Sequence, residues 1–283
     1  MDKCLNLKQL LTGQDTLVMP DAYDPISAKL IEYAGFKAVQ CSGYSFSISK
    51  GYPSETDVSF SENIAITRSI ISAVQIPVMA DGEDGFGDGE CLQKNIETYV
   101  QIGTAGINLE DQNLREPASP DKIISKERML AKIKTAVAAR QTAGSPHFII
   151  NARTDALRAT EDRKAAQKLA VERANSYLEA GADLCFITYI KTREEVALFA
   201  KEVQGPLSVA AGLPYNIREF SINDCRELGV ARVSLPSCLI FSAMQGMLNT
   251  LTMVRDTGTF SEATRQDLIF SDMDVLKKLL QLK

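Results

Sequence analysis

The sequence predicts an α/β fold, a closed (β/α)8 barrel of the TIM type, and three observations predict it. Eight short, nearly all-apolar runs recur along the chain, each turning polar at its C-terminal end. Longer amphipathic stretches separate them, and glycine follows several of these stretches. No segment rich in Pro, Gly or Ser divides the chain, so 1–283 reads as one domain. Runs that are apolar throughout are what strands covered on both faces require, and strand–helix alternation builds parallel βαβ units. Eight such repeats favour closure into a barrel over an open doubly wound sheet.

The elements follow in order. TLVMP at 16–20 is the first strand. DPISAKLIEYA at 24–34 is a helix with Asp24 as its cap and Pro25 early, where the missing N–H costs nothing. Gly35 ends it as a left-handed C-cap. KAVQCS at 37–42 and PVMADG at 77–82 are the second and third strands. A helix ending at Gly103 leads to the fourth, GINLED at 106–111. Ser125 caps a helix over 125–142, before the fifth strand, FIINART at 148–154. A long amphipathic helix over 161–180 stops at Gly181, before LCFITY at 184–189. A helix over 191–203, LSVAAG at 207–212, a helix over 217–227, ARVSLP at 231–236 and a helix over 237–254 complete the set. The tail 259–283 contains DMDVLKKLLQL, long enough for an extra C-terminal helix.

Bulk properties narrow the function classes. Of the 283 residues, 45% are hydrophobic and 24% charged, ordinary for a soluble globular protein. The net charge of -5, with no Lys/Arg cluster, argues against a nucleic-acid partner. No apolar run approaches the ~20 residues of a membrane span. The start, MDKCLNLKQLL, is too short and polar for a signal peptide, and the expected location is cytoplasmic. Cys4, Cys41, Cys91, Cys185, Cys225 and Cys238 form no C-x-x-C pair and are expected as buried free thiols. The single histidine, His147, enters a strand, so neither a Ser-His-Asp triad nor a multi-histidine metal site is expected.

In such a barrel the chemistry sits at the C-terminal strand ends. Strand 3 ends in Asp81-Gly82-Glu83-Asp84 and strand 4 in Glu110-Asp111, so up to five carboxylates meet on one rim. Crowded like charges are costly unless neutralised, and a hard divalent cation with oxygen ligands, Mg²⁺ or Mn²⁺, does so. Asp81, Glu83 and Glu110 are the candidate metal ligands. Helix capping or pairing with Lys and Arg is the other use of such residues, and it suits Asp84, Asp88 and Asp111 better. Ser42, Gly43 and Tyr44 end strand 2 where backbone N–H groups can approach an anion, although Ser-Gly also makes simple turns. Asn151 and Arg153 end strand 5, and a guanidinium fork suits a carboxylate or phosphonate, or the acidic rim itself.

Four strings carry a resemblance. ADGEDGFGDG at 80–89, LEDQ at 109–112, NARTDA at 151–156 and CSGYSFSIS at 41–49 resemble, in the same order, motifs of the isocitrate lyase/phosphoenolpyruvate mutase superfamily. PDAYDPISAKLIEYAGFKAV is similar too, and the likeness runs from about residue 7 to residue 255. The resemblance implies a Mg²⁺ ion at Asp81, Glu83 and Glu110, held directly or through water, with a 2-oxo or 2-hydroxy acid against it. It implies that amides of Ser42, Gly43 and Tyr44 cradle the substrate carboxylate, with Asn151 nearby, and that Arg153 binds the anion and stabilises an enolate. It also implies a homo-oligomer, tetramer or dimer, with the last helix, within 259–283, exchanged between subunits.

The departures from the family narrow the chemistry. The K-[KR]-C-G-H loop of the isocitrate and 2-methylisocitrate lyases is replaced by NLREPASPDKIIS at 113–125, without Cys or His. The mutases' Asp after the cradle falls on Ser54, with Glu55 beside it, and their lid Asn falls near Ala118. Thr188 stands where the lyases place Glu at the end of strand 6. Cleavage or decarboxylation of a 2-oxo or 2-hydroxy dicarboxylate survives these losses. A P–C bond enzyme of the phosphonomutase type is the alternative. Candidate catalytic groups are Arg153, Glu110 and Tyr44, with Glu116 or Lys122 as further proton donors if the loop closes.

Overall fold

The computed structural model describes residues 2–114, 119, 121–265 and 269–281. Eight parallel strands close into a barrel in sequence order, β1 Leu17–Ala22, β2 Val39–Cys41, β3 Val78–Asp81, β4 Gly106–Glu110, β5 Ile149–Thr154, β6 Leu184–Ile187, β7 Leu207–Ala210 and β8 Arg232–Leu235. β8 pairs with β1 from Leu17↔Arg232 to Pro20↔Leu235, which closes the ring.

The surrounding helices are α1 Lys3–Leu11, α2 Pro25–Tyr33, α3 Gly43–Lys50, α4 Phe60–Ala73, α5 Gly89–Gln101, α6 Lys126–Thr142, α7 Arg163–Glu179, α8 Arg193–Glu202, α9 Ile222–Glu227, α10 Cys238–Thr257, α11 Ser261–Arg265 and α12 Met273–Gln281. Their starts are chemically encoded. Asp24 accepts from the Ser27 amide while the Ser27 hydroxyl lies against the Asp24 backbone, and Ser59 with Glu62 and Ser221 with Asp224 repeat this box. α1, α3 and α4 are elements that the apolar pattern had not delimited.

Between strands and helices lie apolar clusters, the largest including Ile107, Ile133, Ile150, Tyr177, Phe199 and Val233, all essentially inaccessible, and a second around α2 and α4 including Ile31, Val39 and Ile70. Inside the barrel, Leu17, Met19, Met79, Ile149 and Leu184 pack with Leu7 and Leu11 of α1 into an apolar floor, and above it the interior turns polar. Arg232 is fully buried and donates to Gln40 Oε1 at 2.6 Å and Ser208 Oγ at 2.8 Å. Burial pulls its pKa down to about 10, which still leaves it a cation at neutral pH. Towards the C-terminal ends, Ser234 donates to Asp21 at 3.0 Å. A fixed positive charge therefore sits beneath the rim where the carboxylates gather.

Asp111, 0% exposed, is a structural hub. It accepts from Thr154 Oγ1, the Asp155 amide, Arg173 Nη1 and Tyr177 OH, tying α7 to the ends of β4 and β5. Asp88 pairs with Arg128 and Lys132, so it too serves structure. His147 precedes β5, at the barrel end opposite the C-terminal strand ends. The thiols correct the expectation of uniform burial. Cys41, Cys185 and Cys225 are buried, but Cys91 is exposed and Cys4 and Cys238 are half-buried. All six are free.

The tail forms α12, which lies on α2 of the same chain, where Lys29 Nζ donates to the Leu279 carbonyl at 2.8 Å. Among the described residues no helix is long and apolar enough to cross a membrane.

Candidate active site

The loop after β3 sets the geometry. Glu83 adopts a left-handed backbone with φ 48°, a conformation that costs a non-glycine residue energy and tends to mark functional positions. The Glu110 amide donates to the Glu83 carbonyl at 2.9 Å, which locks this turn to the end of β4. Lys132, nearly inaccessible on α6, donates to the carbonyls of Asp84 and Gly87, both at 2.7 Å. Asn95 on α5 donates to the Gly85 carbonyl at 3.0 Å. The glycine-rich loop is thus pinned from two helices and the next strand.

The N-terminus of α3 meets this loop. Ser42 caps the helix by accepting from the Ser45 amide, and the Gly43 amide donates to Asp81 Oδ2 at 3.0 Å. The anion at this helix start is therefore the protein's own Asp81, so the Gly43 amide is already committed and is not open to a substrate carboxylate. A Cβ added at Gly43 would stand 1.6 Å from Glu83 Oε1, so only glycine leaves the Glu83 carboxylate its place.

Arg153 lies opposite. Its Nη1 is 2.6 Å from Glu110 Oε2, its Nε donates to Asp155 Oδ1 at 2.9 Å, and its Nη2 reaches Asp155 Oδ2 and Gln112 Oε1. The Thr188 hydroxyl, 2.8 Å from Asp155 Oδ1, steadies that carboxylate. The salt bridge to the acidic rim and the approach to the cavity both hold for Arg153.

Several buried oxygens remain without a hydrogen-bond partner: Asp81 Oδ1, Glu83 Oε1 and both oxygens of Glu110, of which Oε2 has the Arg153 charge beside it in poor hydrogen-bonding alignment. Burial pushes the carboxyls of Glu83 and Glu110 well above the usual carboxylate range, and that of Asp81 upward. The neighbouring acids Asp81, Glu55 and Glu110 raise Glu83 further, while the Arg153 charge works against the shift in all three. Unpaired buried carboxylate oxygens are expensive, and a hard cation is what this donor set fits. Among the described residues no group of three Asp, Glu, His or Cys side chains is placed to hold a metal ion. A hard cation here would take one or two carboxylates directly and reach the others through water.

A cavity of about 380 Å³ opens over these groups. Asp21, Ser42, Tyr44, Glu55, Asp81, Asn108, Arg153, Thr188, Ser234 and Ser237 supply its polar wall. Phe186, Tyr189, Ala210, Leu213, Pro214, Tyr215, Pro236 and Phe241 supply the apolar one. Of the residues expected from sequence, Ser42, Tyr44, Asp81 and Arg153 line the cavity directly. Glu83 is lodged against Gly43, and Glu110 is joined to Arg153. Asn151 does not line the cavity; it donates to Asn108 Oδ1 at 2.7 Å and so supports a residue that does. Ser54 is a half-buried cap of the turn Glu55–Asp57, and Glu55 is the residue that turns into the cavity. Lys122 is exposed and borders a small pocket with Gln112, Asp155 and Arg158. Glu116 and Ala118 lie outside the described residues.

Asp21, Asn108, Tyr189, Tyr215 and Ser234 were not singled out from sequence. Asp21 had a signal: it is the polar end of strand 1, which extends two residues beyond Pro20.

A family model described as phosphoenolpyruvate phosphomutase matches residues 7–255. The 2,3-dimethylmalate lyase of Eubacterium barkeri is 30% identical over 290 residues, covering 100% of this chain and 96% of that protein. A 2-methylisocitrate lyase of Aeropyrum pernix is 32% identical over 264 residues, covering 90% of this chain and 80% of that protein. Among solved structures, a phosphonopyruvate hydrolase complexed with oxalate and Mg²⁺ superposes with a TM-score of 0.85 at 28% identity, covering 98% of this chain and 94% of that one.

Proposed function

This chain belongs to the phosphoenolpyruvate phosphomutase family, and we propose that within it the protein is a Mg²⁺-dependent carbon–carbon lyase or decarboxylase of a 2-oxo or 2-hydroxy dicarboxylate. It is an enzyme of the isocitrate lyase/phosphoenolpyruvate mutase superfamily, with lyases among its relatives. One observation carries the reading: unpartnered buried oxygens of Asp81, Glu83 and Glu110 gather on one rim with Arg153.

Asp81, Glu83 and Glu110 would hold Mg²⁺ or Mn²⁺, which when bound supplies Lewis-acid polarisation of the substrate's 2-oxo or 2-hydroxy group. Arg153, fixed by Glu110 and Asp155, presents its remaining face to the enolate charge that develops as the bond breaks. Ser42 and Tyr44 border the substrate carboxylate, in place of the Gly43 amide. The Tyr44 hydroxyl is one proton donor at the wall. Asp21 lines the same wall, and burial raises its carboxyl while the Arg232 charge and the Ser234 hydrogen bond oppose the shift. The phosphonomutase alternative draws support from Glu55, which lines the cavity beside the position of the mutases' acid.

The test is a Mg²⁺-dependent panel followed by ¹H and ³¹P NMR, with oxaloacetate, 2-methylisocitrate, 2,3-dimethylmalate, phosphonopyruvate and phosphoenolpyruvate presented separately. A 2-oxo acid released from a carbon substrate is the expected result. A phosphorus shift between the last two acids would replace it with the mutase reading.

The raised carboxyls also predict a pH dependence. A group whose folded pKa is raised adds stability that is fully present below its unfolded value and is lost as pH rises through the folded value. Metal-free protein is therefore expected to lose melting temperature as pH climbs above the ordinary carboxylate range. Mg²⁺ should restore it, by more at pH 8 than at pH 6, because binding requires the deprotonated acids. Scanning fluorimetry reads this directly, and a Mg²⁺ effect that shrinks with rising pH would count against the metal assignment.

A homo-oligomer is part of the proposal. α10 exposes Phe241, Met244, Met247, Leu248 and Leu251, and the tail exposes Phe260, Phe270, Met273 and Leu280. Phe241, Met244, Leu248 and Leu251 recur at helical spacing along α10, and an exposed apolar stripe of this kind is usually covered; α12 is the element that would exchange its seat on α2 between subunits.

A further inference from the structure

The acid end of the substrate, on the reading above, lies at the Asp81–Arg153 rim. The remainder of the cavity faces the ends of β6, β7 and β8. There the wall is Phe186, Tyr189, Leu213, Pro214, Tyr215 and Phe241. Tyr189 and Tyr215 stack with ring centroids 5.5 Å apart, which makes a flat, preformed aromatic surface.

The charges around the cavity point the same way. Among the described lining residues Arg153 is the one cation, and it is already engaged by Glu110 and Asp155. Asp21, Glu55 and Asp81 line the same space. Arg158 is close by, with its guanidinium 4.6 Å from the Tyr189 ring and its Nη1 donating to that hydroxyl at 2.9 Å, but it does not line the cavity. Among the described lining residues, a substrate carboxylate beyond the reacting unit would meet several acids and no cation without an acid partner, and burying an unpaired charge is costly. A hydrocarbon arm would displace water from apolar walls.

We infer that the substrate carries, on the carbon next to the reacting 2-oxo or 2-hydroxy acid unit, an uncharged aliphatic or aromatic arm seated against Phe186, Leu213 and the Tyr189–Tyr215 stack, instead of a further carboxylate. The acid unit is recognised at the rim by charge, and the arm is recognised by shape and apolar contact. Leu213 and Pro214 lie in the loop after β7, so the length of the arm is set by that loop.

The matched pair that tests this is 3-isobutylmalate and isocitrate, one malate core bearing at C3 either an isobutyl or a carboxymethyl arm of the same shape. Calorimetry in Mg²⁺ gives both affinities, and ¹H NMR gives cleavage. The isobutyl compound is expected to bind at least ten-fold more tightly. Leu213→Arg, with Tyr215→Arg as a second variant should the first fail to fold, is expected to move the ratio at least ten-fold towards isocitrate. Equal or tighter binding of isocitrate, no binding of either acid, or a ratio unmoved in a folded variant would overturn the inference. Preferential binding of the isobutyl compound without cleavage would keep the inference and count against the lyase reading. Cleavage of isocitrate alone would do the reverse.

Discussion

Replacing Arg153 by alanine is expected to lower kcat/KM by about a hundred- to a thousand-fold, the usual cost of losing a preorganised donor to a developing oxyanion. The loss should divide between a raised KM and a lowered kcat, because on the proposed reading the side chain would meet the substrate anion before and during bond cleavage. Removing it also strands Glu110 and Asp155, which then face each other without the charge between them. Arg153→Lys should recover little, since an ammonium cannot span Glu110 and both oxygens of Asp155 as the fork does. Steady-state kinetics on the substrate found by the NMR panel decides this. An unchanged kcat/KM in folded Arg153→Ala would remove the residue from the chemistry.

Gly43→Ala is expected to weaken divalent-cation affinity by about ten- to a hundred-fold, as changes beside metal ligands do. The added methyl would stand 1.6 Å from Glu83 Oε1 and 2.8 Å from its carboxyl carbon, so the Glu83 side chain must leave its seat. Its backbone, at φ 48° and bonded through its carbonyl to Glu110, gives it little room to adjust. The barrel should persist, because Gly43 lies at the first turn of α3 rather than in a strand. Mn²⁺ titration with circular dichroism separates the two effects. Wild-type affinity in Gly43→Ala would mean that the Glu83 position is unimportant to the ion.

Eight strands were legible because each is an apolar run wrapped by helices. Their ends were not, since a polar residue marks a strand end without saying whether it still belongs to the ladder. Gly82, Asp111, Tyr189 and Gly212 lie just outside their strands, whereas Asp21 lies inside its own and was passed over. α3 escaped notice because GYSFSISK has little helical periodicity and relies on its Ser42 cap. Asp81, Glu83, Glu110 and Arg153 were legible as acids and a base at neighbouring strand ends. The commitment of the Gly43 amide to Asp81 was not, nor was the turn of Glu55 rather than Ser54 into the cavity. The Tyr189–Tyr215 stack was equally hidden. Each of these depends on side chains meeting across different strands and loops, which residue spacing does not encode.

The central claim is that Asp81, Glu83 and Glu110 hold one divalent cation where Arg153 can meet a 2-oxo acid bound to it. Its most direct test is a Mn²⁺ titration followed by electron paramagnetic resonance, on wild type and Asp81→Asn, each with and without oxalate as a planar stand-in for the enolate. One site per chain, tightened by oxalate and lost in Asp81→Asn, is the predicted result. Equal Mn²⁺ binding by the two proteins, or affinity indifferent to oxalate, would contradict it.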